Sequence, residues 1–156
     1  MKHKYYLDLG GIEGIKELAK RVYQYHVQDV RINTFFDFTM IYRFEQMLIN
    51  FLVGLLGGKP YNQRSMRKAH RRLGGLSNEH FDAFVENLLN AMKHQKVDNV
   101  AIREILHLVE ETREDVTGLN ELERRNYKEA IKPTTSCPFH FSLKNKTKSK
   151  KSCSIN

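Results

Sequence analysis

The sequence has no tryptophan, only three prolines and only two cysteines, and both cysteines, Cys137 and Cys153, fall within its last twenty residues. Neither belongs to a Cys-x-x-Cys-His pattern. No apolar run approaches the roughly 20 residues that a bilayer-spanning helix needs, and Met1-Lys2-His3-Lys4 leads into no apolar signal core. These absences exclude a helical membrane span and predict a soluble, cytoplasmic protein. Acidic residues are missing from the C-terminal end: residues 131–156 hold six lysines and no acid, so six of the eight net positive charges sit there and the first 130 residues carry only +2. The basicity therefore belongs to a tail. The rest shows no basic stripe interleaved with aromatics, which argues against a nucleic-acid partner.

What is present is a series of amphipathic helices punctuated by glycine. At 156 residues the chain is one all-α domain with an extension. Lys4-Tyr5-Tyr6-Leu7-Asp8-Leu9 reads as a short helix stopped by Gly10-Gly11, and the next helix runs from about Ile12 to Asp29 with Ile12, Ile15, Ala19, Val22 and Tyr23 on its apolar face. A third helix, about Met40 to Leu56, carries the stripe Phe44, Leu48, Phe51, Leu52 and Leu55. Gly57-Gly58 and Gly74-Gly75 then bracket a basic segment with a single histidine, His70, on a short helix. Ser77 caps a helix running to about Gln95, with Phe81, Phe84, Leu88 and Met92 inward. The last core helix starts near Asp98, buries Ile102, Ile105, Leu106 and Val109, and ends at Val116-Thr117-Gly118.

Leu9-Gly10-Gly11, the pair Phe35-Phe36, Leu56-Gly57-Gly58, and Met66-Arg67-Lys68-Ala69-His70 followed by Gly74-Gly75 and Glu79-His80-Phe81 fall in an order and spacing that resembles the truncated haemoglobins, particularly their first group, over residues 4 to 117. The resemblance implies a truncated, two-over-two globin fold over 1–118, with 119–156 as a charged extension. It also implies haem b, held non-covalently, with His70 as the proximal ligand of its iron. Tyr23 matches the distal tyrosine whose hydroxyl donates to a bound ligand, and Phe36, thirteen residues on, matches the phenylalanine that stacks on the haem. Without the resemblance, both would read as ordinary core aromatics. His26, one turn from Tyr23, is placed to contribute to the distal side or to a proton path, but the plainer reading is a histidine at the pocket rim.

The same resemblance places Phe44 and Leu48 over the distal face, where many first-group members carry glutamine, so here Tyr23 would be left to hold the ligand. Met47 matches a position at which some members carry a histidine that becomes a sixth iron ligand. A thioether can also ligate haem iron, although a helical methionine more often fills a gap in the core. Phe84 falls near the pocket, at a site where tryptophan marks another group of the family. Pro60, Tyr61 and Met66 match positions along the haem edge. Arg67 and Lys68 are the expected cations for the haem propionates, in a segment that also holds Arg64, Arg71 and Arg72.

The implied function is reversible binding of dioxygen, with nitric oxide and carbon monoxide as further ligands. Nitric oxide dioxygenase or peroxidase-like activity would need an unidentified external reductase. A haem-based gas or redox sensor, or an electron-transfer protein with Met47 or His26 as an internal sixth ligand, is the second reading. A haem-free helical adaptor acting through the basic tail is the third. After Lys132-Pro133 the composition predicts disorder. Cys153-Ser154-Ile155-Asn156 has the outline of a prenylation signal behind a polybasic run, which would give weak membrane association, but Ser154 is not aliphatic and Asn156 is not a usual last residue. The reading is against anchoring.

Overall fold

The structure, a computed structural model, describes residues 2–36, 41–57, 62–74 and 76–118. Tyr61 and the whole extension from 119, with Cys137 and Cys153, lie outside the described residues. Among the described residues seven α-helices follow in order: α1 (Lys2–Asp8), α2 (Gly11–Gln28), α3 (Ile41–Leu55), α4 (Gln63–Arg71), α5 (Asn78–His94), α6 (Asn99–Glu110) and α7 (Arg113–Thr117), with a 3-10 turn at Asn33–Phe35 between α2 and α3. α2 packs on both α3 and α5, α5 carries α6, and α4 docks on α7. This is the two-over-two helical arrangement that the resemblance implied. None of the described helices is long and apolar enough to cross a membrane.

α2 begins where Gly10 takes φ 85°, a left-handed conformation that an L side chain adopts at a cost. Its buried face is Ile15, Leu18, Ala19, Val22, Tyr23 and His26, whereas Ile12, expected on that face, is 40% exposed. The helix therefore presents its apolar stripe one turn later than the periodicity suggested. Gly14 lies against the link between α1 and α2 so closely that an added Cβ would sit 1.7 Å from the Leu9 carbonyl oxygen. The Gly14 carbonyl also accepts a hydrogen bond from Gln95 Nε2 at 3.2 Å, which ties the end of α5 to this corner.

Leu48, Leu52 and Leu55 form the buried seam of α3, with Phe44 and Phe51 partly buried beside it. α5 starts at Ser77, as expected. The Ser77 hydroxyl accepts from the His80 backbone at 3.4 Å, and His80 Nδ1 accepts from the Ser77 backbone at 2.9 Å, a capping box closed by histidine where glutamate is usual. The helix expected to run from Asp98 to Val116 is broken at Thr112, whose hydroxyl donates to Val109 O at 2.7 Å. α7 starts afresh beyond it. Arg113, only 5% exposed, holds α7 on α5: it donates to Asp82 at 2.6 Å and Asn78 Oδ1 at 3.1 Å, bonds Glu110 at 2.7 Å, and lies 4.3 Å over the Phe81 ring.

Candidate functional site: a histidine on a short helix and an aromatic cluster

α4 is started by Asn62, whose side-chain oxygen accepts from Ser65 N at 3.1 Å. Its place in the molecule is set from α7, where buried Asp115 takes a hydrogen bond from Arg67 Nε. Arg113 pins α7 to α5 and Asp115 pins α4 to α7, so His70 is carried on a helix fixed at second hand by the core. The His70 ring is half-buried, and its Nδ1 lies 2.9 Å from the Met66 carbonyl one turn back. A carbonyl only accepts, so Nδ1 carries the proton and the lone pair of the neutral ring sits on Nε2. A backbone bond of this kind is how metal-ligating imidazoles are oriented.

Two hollows adjoin α4 and share Arg67 and Arg71. One, about 260 Å³, lies between His70, Arg71, Gly74 and Leu76 on one side and residues 114–118 on the other. The second, about 570 Å³, is lined by Arg64, Arg67, Lys68 and Arg71. Only the second falls in the 300–1,000 Å³ range usual for small-molecule sites, and its walls are cationic. Of the two cations expected for an anionic ligand, Lys68 is exposed, while Arg67 also serves as the tether to Asp115. Met66 is half-buried on the same helix.

The remaining predicted site residues come mostly from α2, α3 and the turn between them. Tyr23 is 5% exposed, with the Phe36 ring edge-on at 6.2 Å and the Phe44 ring at 5.8 Å. Phe36 and Phe44 meet each other at 5.0 Å. Leu48 is buried one turn along α3 from Phe44, and Phe84 on α5 joins the cluster through His26 at 5.4 Å. Met47 does not join: it is 47% exposed on the outer side of α3. The thioether would have to leave solvent and rotate past Leu48 to enter the cluster.

His26 is where reasoning from the sequence went furthest astray. It is no rim residue but is fully buried, with the rings of Phe36, Phe44 and Phe84 around it and its Nδ1 3.1 Å from the Asn87 amide nitrogen. Loss of hydration pulls the imidazole from 6.5 down to about 3, against the attraction of nearby Asp29. As the pH falls below 6.5 the unfolded chain takes up a proton that the folded protein refuses until about pH 3, so stability must fall across that window. Between pH 6.5 and pH 5 the expected loss is about 2 kcal/mol from this residue alone. Denaturant titrations at the two pH values should show it, and His26→Leu should remove that share of the slope.

A family model described as bacterial-like globin matches residues 4–118. A group 1 truncated haemoglobin of Tetrahymena pyriformis is 34% identical over 114 residues, which cover 72% of this chain and 93% of the relative. The group 1 truncated haemoglobin of Synechocystis is 35% identical over 104 residues, 64% of this chain and 84% of that one. Among solved structures, the 2/2 haemoglobin of Synechococcus sp. PCC 7002, in the cyanomet state with covalently attached haem, superposes with a TM-score of 0.68 at 31% identity, covering 74% of this chain and 98% of its own. The Fe(III) form of the Tetrahymena pyriformis protein gives a TM-score of 0.65 at 34% identity, covering 72% and 96%.

Proposed function

The chain belongs to the truncated haemoglobins of group 1, and from that premise we propose that it holds haem b without a covalent link and binds dioxygen reversibly, with nitric oxide and carbon monoxide as competing ligands. The observation that carries this reading is the His70 ring, whose Nδ1 is committed to the Met66 carbonyl, so that Nε2 offers its lone pair to a metal. Among the described residues no group of three or more histidines, cysteines, aspartates or glutamates could cage a metal ion. Haem, when bound, would supply an iron able to take a diatomic ligand.

The chain's own residues do the rest. Lys68, with Arg64 and Arg67 beside it, offers cations to the propionates along the 570 Å³ hollow. Phe36, Phe44 and Leu48 build an apolar wall that keeps bulk water from the ligand. The Tyr23 hydroxyl donates to the ligand as it becomes partly negative. Detoxification of nitric oxide would draw its electrons from a separate reductase. An internal sixth ligand is the less favoured reading, because Met47 is exposed and the His26 Nδ1 is already engaged by Asn87. The 1–118 globin unit followed by a separate charged extension is part of the same proposal.

Tyr23→Phe tests the distal assignment. A hydrogen bond to a charged or polarised partner is worth on the order of 1.5–3 kcal/mol, so dioxygen should leave at least about ten times faster, by stopped-flow displacement with carbon monoxide. An unchanged rate would remove Tyr23 from that role.

A further inference from the structure

The orientation of His26 is dictated from the surface inward through four residues. Arg31 Nε and Nη2 donate to the two carboxylate oxygens of Asp29 at 3.0 and 2.7 Å, and Nη2 also reaches Glu86 at 2.7 Å. The Arg31 hydrogen bond holds the Asp29 carboxyl below the usual carboxylate range, so Asp29 is an acceptor only. Asn87 must therefore turn its NH2 group, not its oxygen, toward Asp29, at 3.1 Å, and the same NH2 lies 3.1 Å from His26 Nδ1. One amide hydrogen goes to the carboxylate and the other to Nδ1. A neutral imidazole that accepts at Nδ1 carries its proton on Nε2.

That Nε2–H is buried and meets no acceptor among the described residues. The His26 ring lies among those of Phe36, Phe44 and Phe84, with centroids 4.8, 5.4 and 5.4 Å from its own. Phenyl faces accept an N–H only weakly, and a buried donor left without a partner is costly and uncommon. Phe36 and Phe44 are also the ring neighbours of Tyr23. Tyr23 and His26, one turn apart on α2, thus share two ring neighbours, and the histidine donor has no acceptor among the described residues.

We propose that His26 is a second distal ligand-binding residue, whose Nε2–H donates to the diatomic ligand alongside the Tyr23 hydroxyl and supplies the polarity that Phe44 and Leu48 withhold. Arg31, Asp29 and Asn87 are positioning residues that fix which nitrogen bears the proton. The inference rests on the haem-binding reading above. It also makes His26 a poor iron ligand, since its Nδ1 is engaged by Asn87 and its Nε2 bears the proton.

The test uses the full chain as the ferrous carbon monoxide complex, in which a hydrogen-bond donor near the ligand lowers the C–O stretching frequency. Infrared spectra of wild type, Tyr23→Phe, His26→Leu and His26→Gln would be compared, with ring nitrogen-15 NMR of the haem-free protein reporting the His26 tautomer. We expect an Nε2-protonated ring, a C–O band raised by His26→Leu and raised further when Tyr23→Phe is added, partial return in His26→Gln, and dioxygen release about tenfold faster in His26→Leu. Coincident bands for wild type and His26→Leu, with Tyr23→Phe still shifted, would overturn the proposal and leave haem binding intact. Failure of every protein to bind haem and carbon monoxide would overturn both. Should His26→Leu not fold, Asn87→Leu releases Nδ1 while keeping the ring. A shifted or split band then supports the inference, and an unchanged one contradicts it.

Discussion

Replacing His70 by glycine is expected to weaken haem retention by more than about 100-fold while the helices stay in place. Loss of a residue that only orients a metal ligand already costs 10–100-fold in metal affinity, so loss of the ligand itself should exceed that. The fold should survive because His70 is only half-buried and its recorded hydrogen bond is local, to Met66. Glycine in α4 costs about 1 kcal/mol of helix propensity, against contacts on α7 that do not involve the imidazole. Hemin titration would read the loss, circular dichroism the helix content, and added imidazole should restore the absorption by occupying the vacated volume. A glycine variant that bound hemin as tightly as wild type would mean that another residue holds the iron.

The largest effect on stability is expected far from the site, at Gly14. An alanine Cβ there would lie 1.7 Å from the Leu9 carbonyl oxygen and 2.7 Å from its carbon, distances that only a backbone shift can relieve. Leu9 is itself 4% exposed, and Gly14 O accepts from Gln95, so the shift would pull on α1 and on the end of α5 together. Overpacking of this kind costs on the order of 3 kcal/mol and sometimes more. Urea denaturation of Gly14→Ala should show a midpoint lowered accordingly. An unfolding free energy within a few tenths of a kcal/mol of wild type would mean that the Leu9 carbonyl does not approach Gly14 as closely as the structure has it.

Helices were legible wherever apolar periodicity and a local stop or start coincide. Gly10 and Ser77 mark α2 and α5 to within a residue, and the seam Leu48–Leu52–Leu55 fell on the face expected of it. The family resemblance placed Tyr23, Phe36 and Phe44 together, and their rings meet. What escaped the sequence is what depends on distant partners. The polar ring of His26 gave no sign of burial because its hydrogen-bond partner, Asn87, lies on another helix. The pairing of Arg67 with Asp115, the break at Thr112 and the buried Arg113 that follows from it are also products of helices meeting in space. Gly14 carries no signal in the sequence, and only the fold of the Leu9 carbonyl back against it shows why glycine stands there.

Optical absorption of the purified, hemin-reconstituted protein, ferric and then reduced under carbon monoxide, tests the central claim most directly. A one-to-one haem complex whose Soret band shifts when carbon monoxide is added is the predicted result, since His70 would hold the iron and neither exposed Met47 nor His26 would compete with a small ligand for it. A protein that takes up no hemin, or whose reduced spectrum does not respond to carbon monoxide, would contradict it.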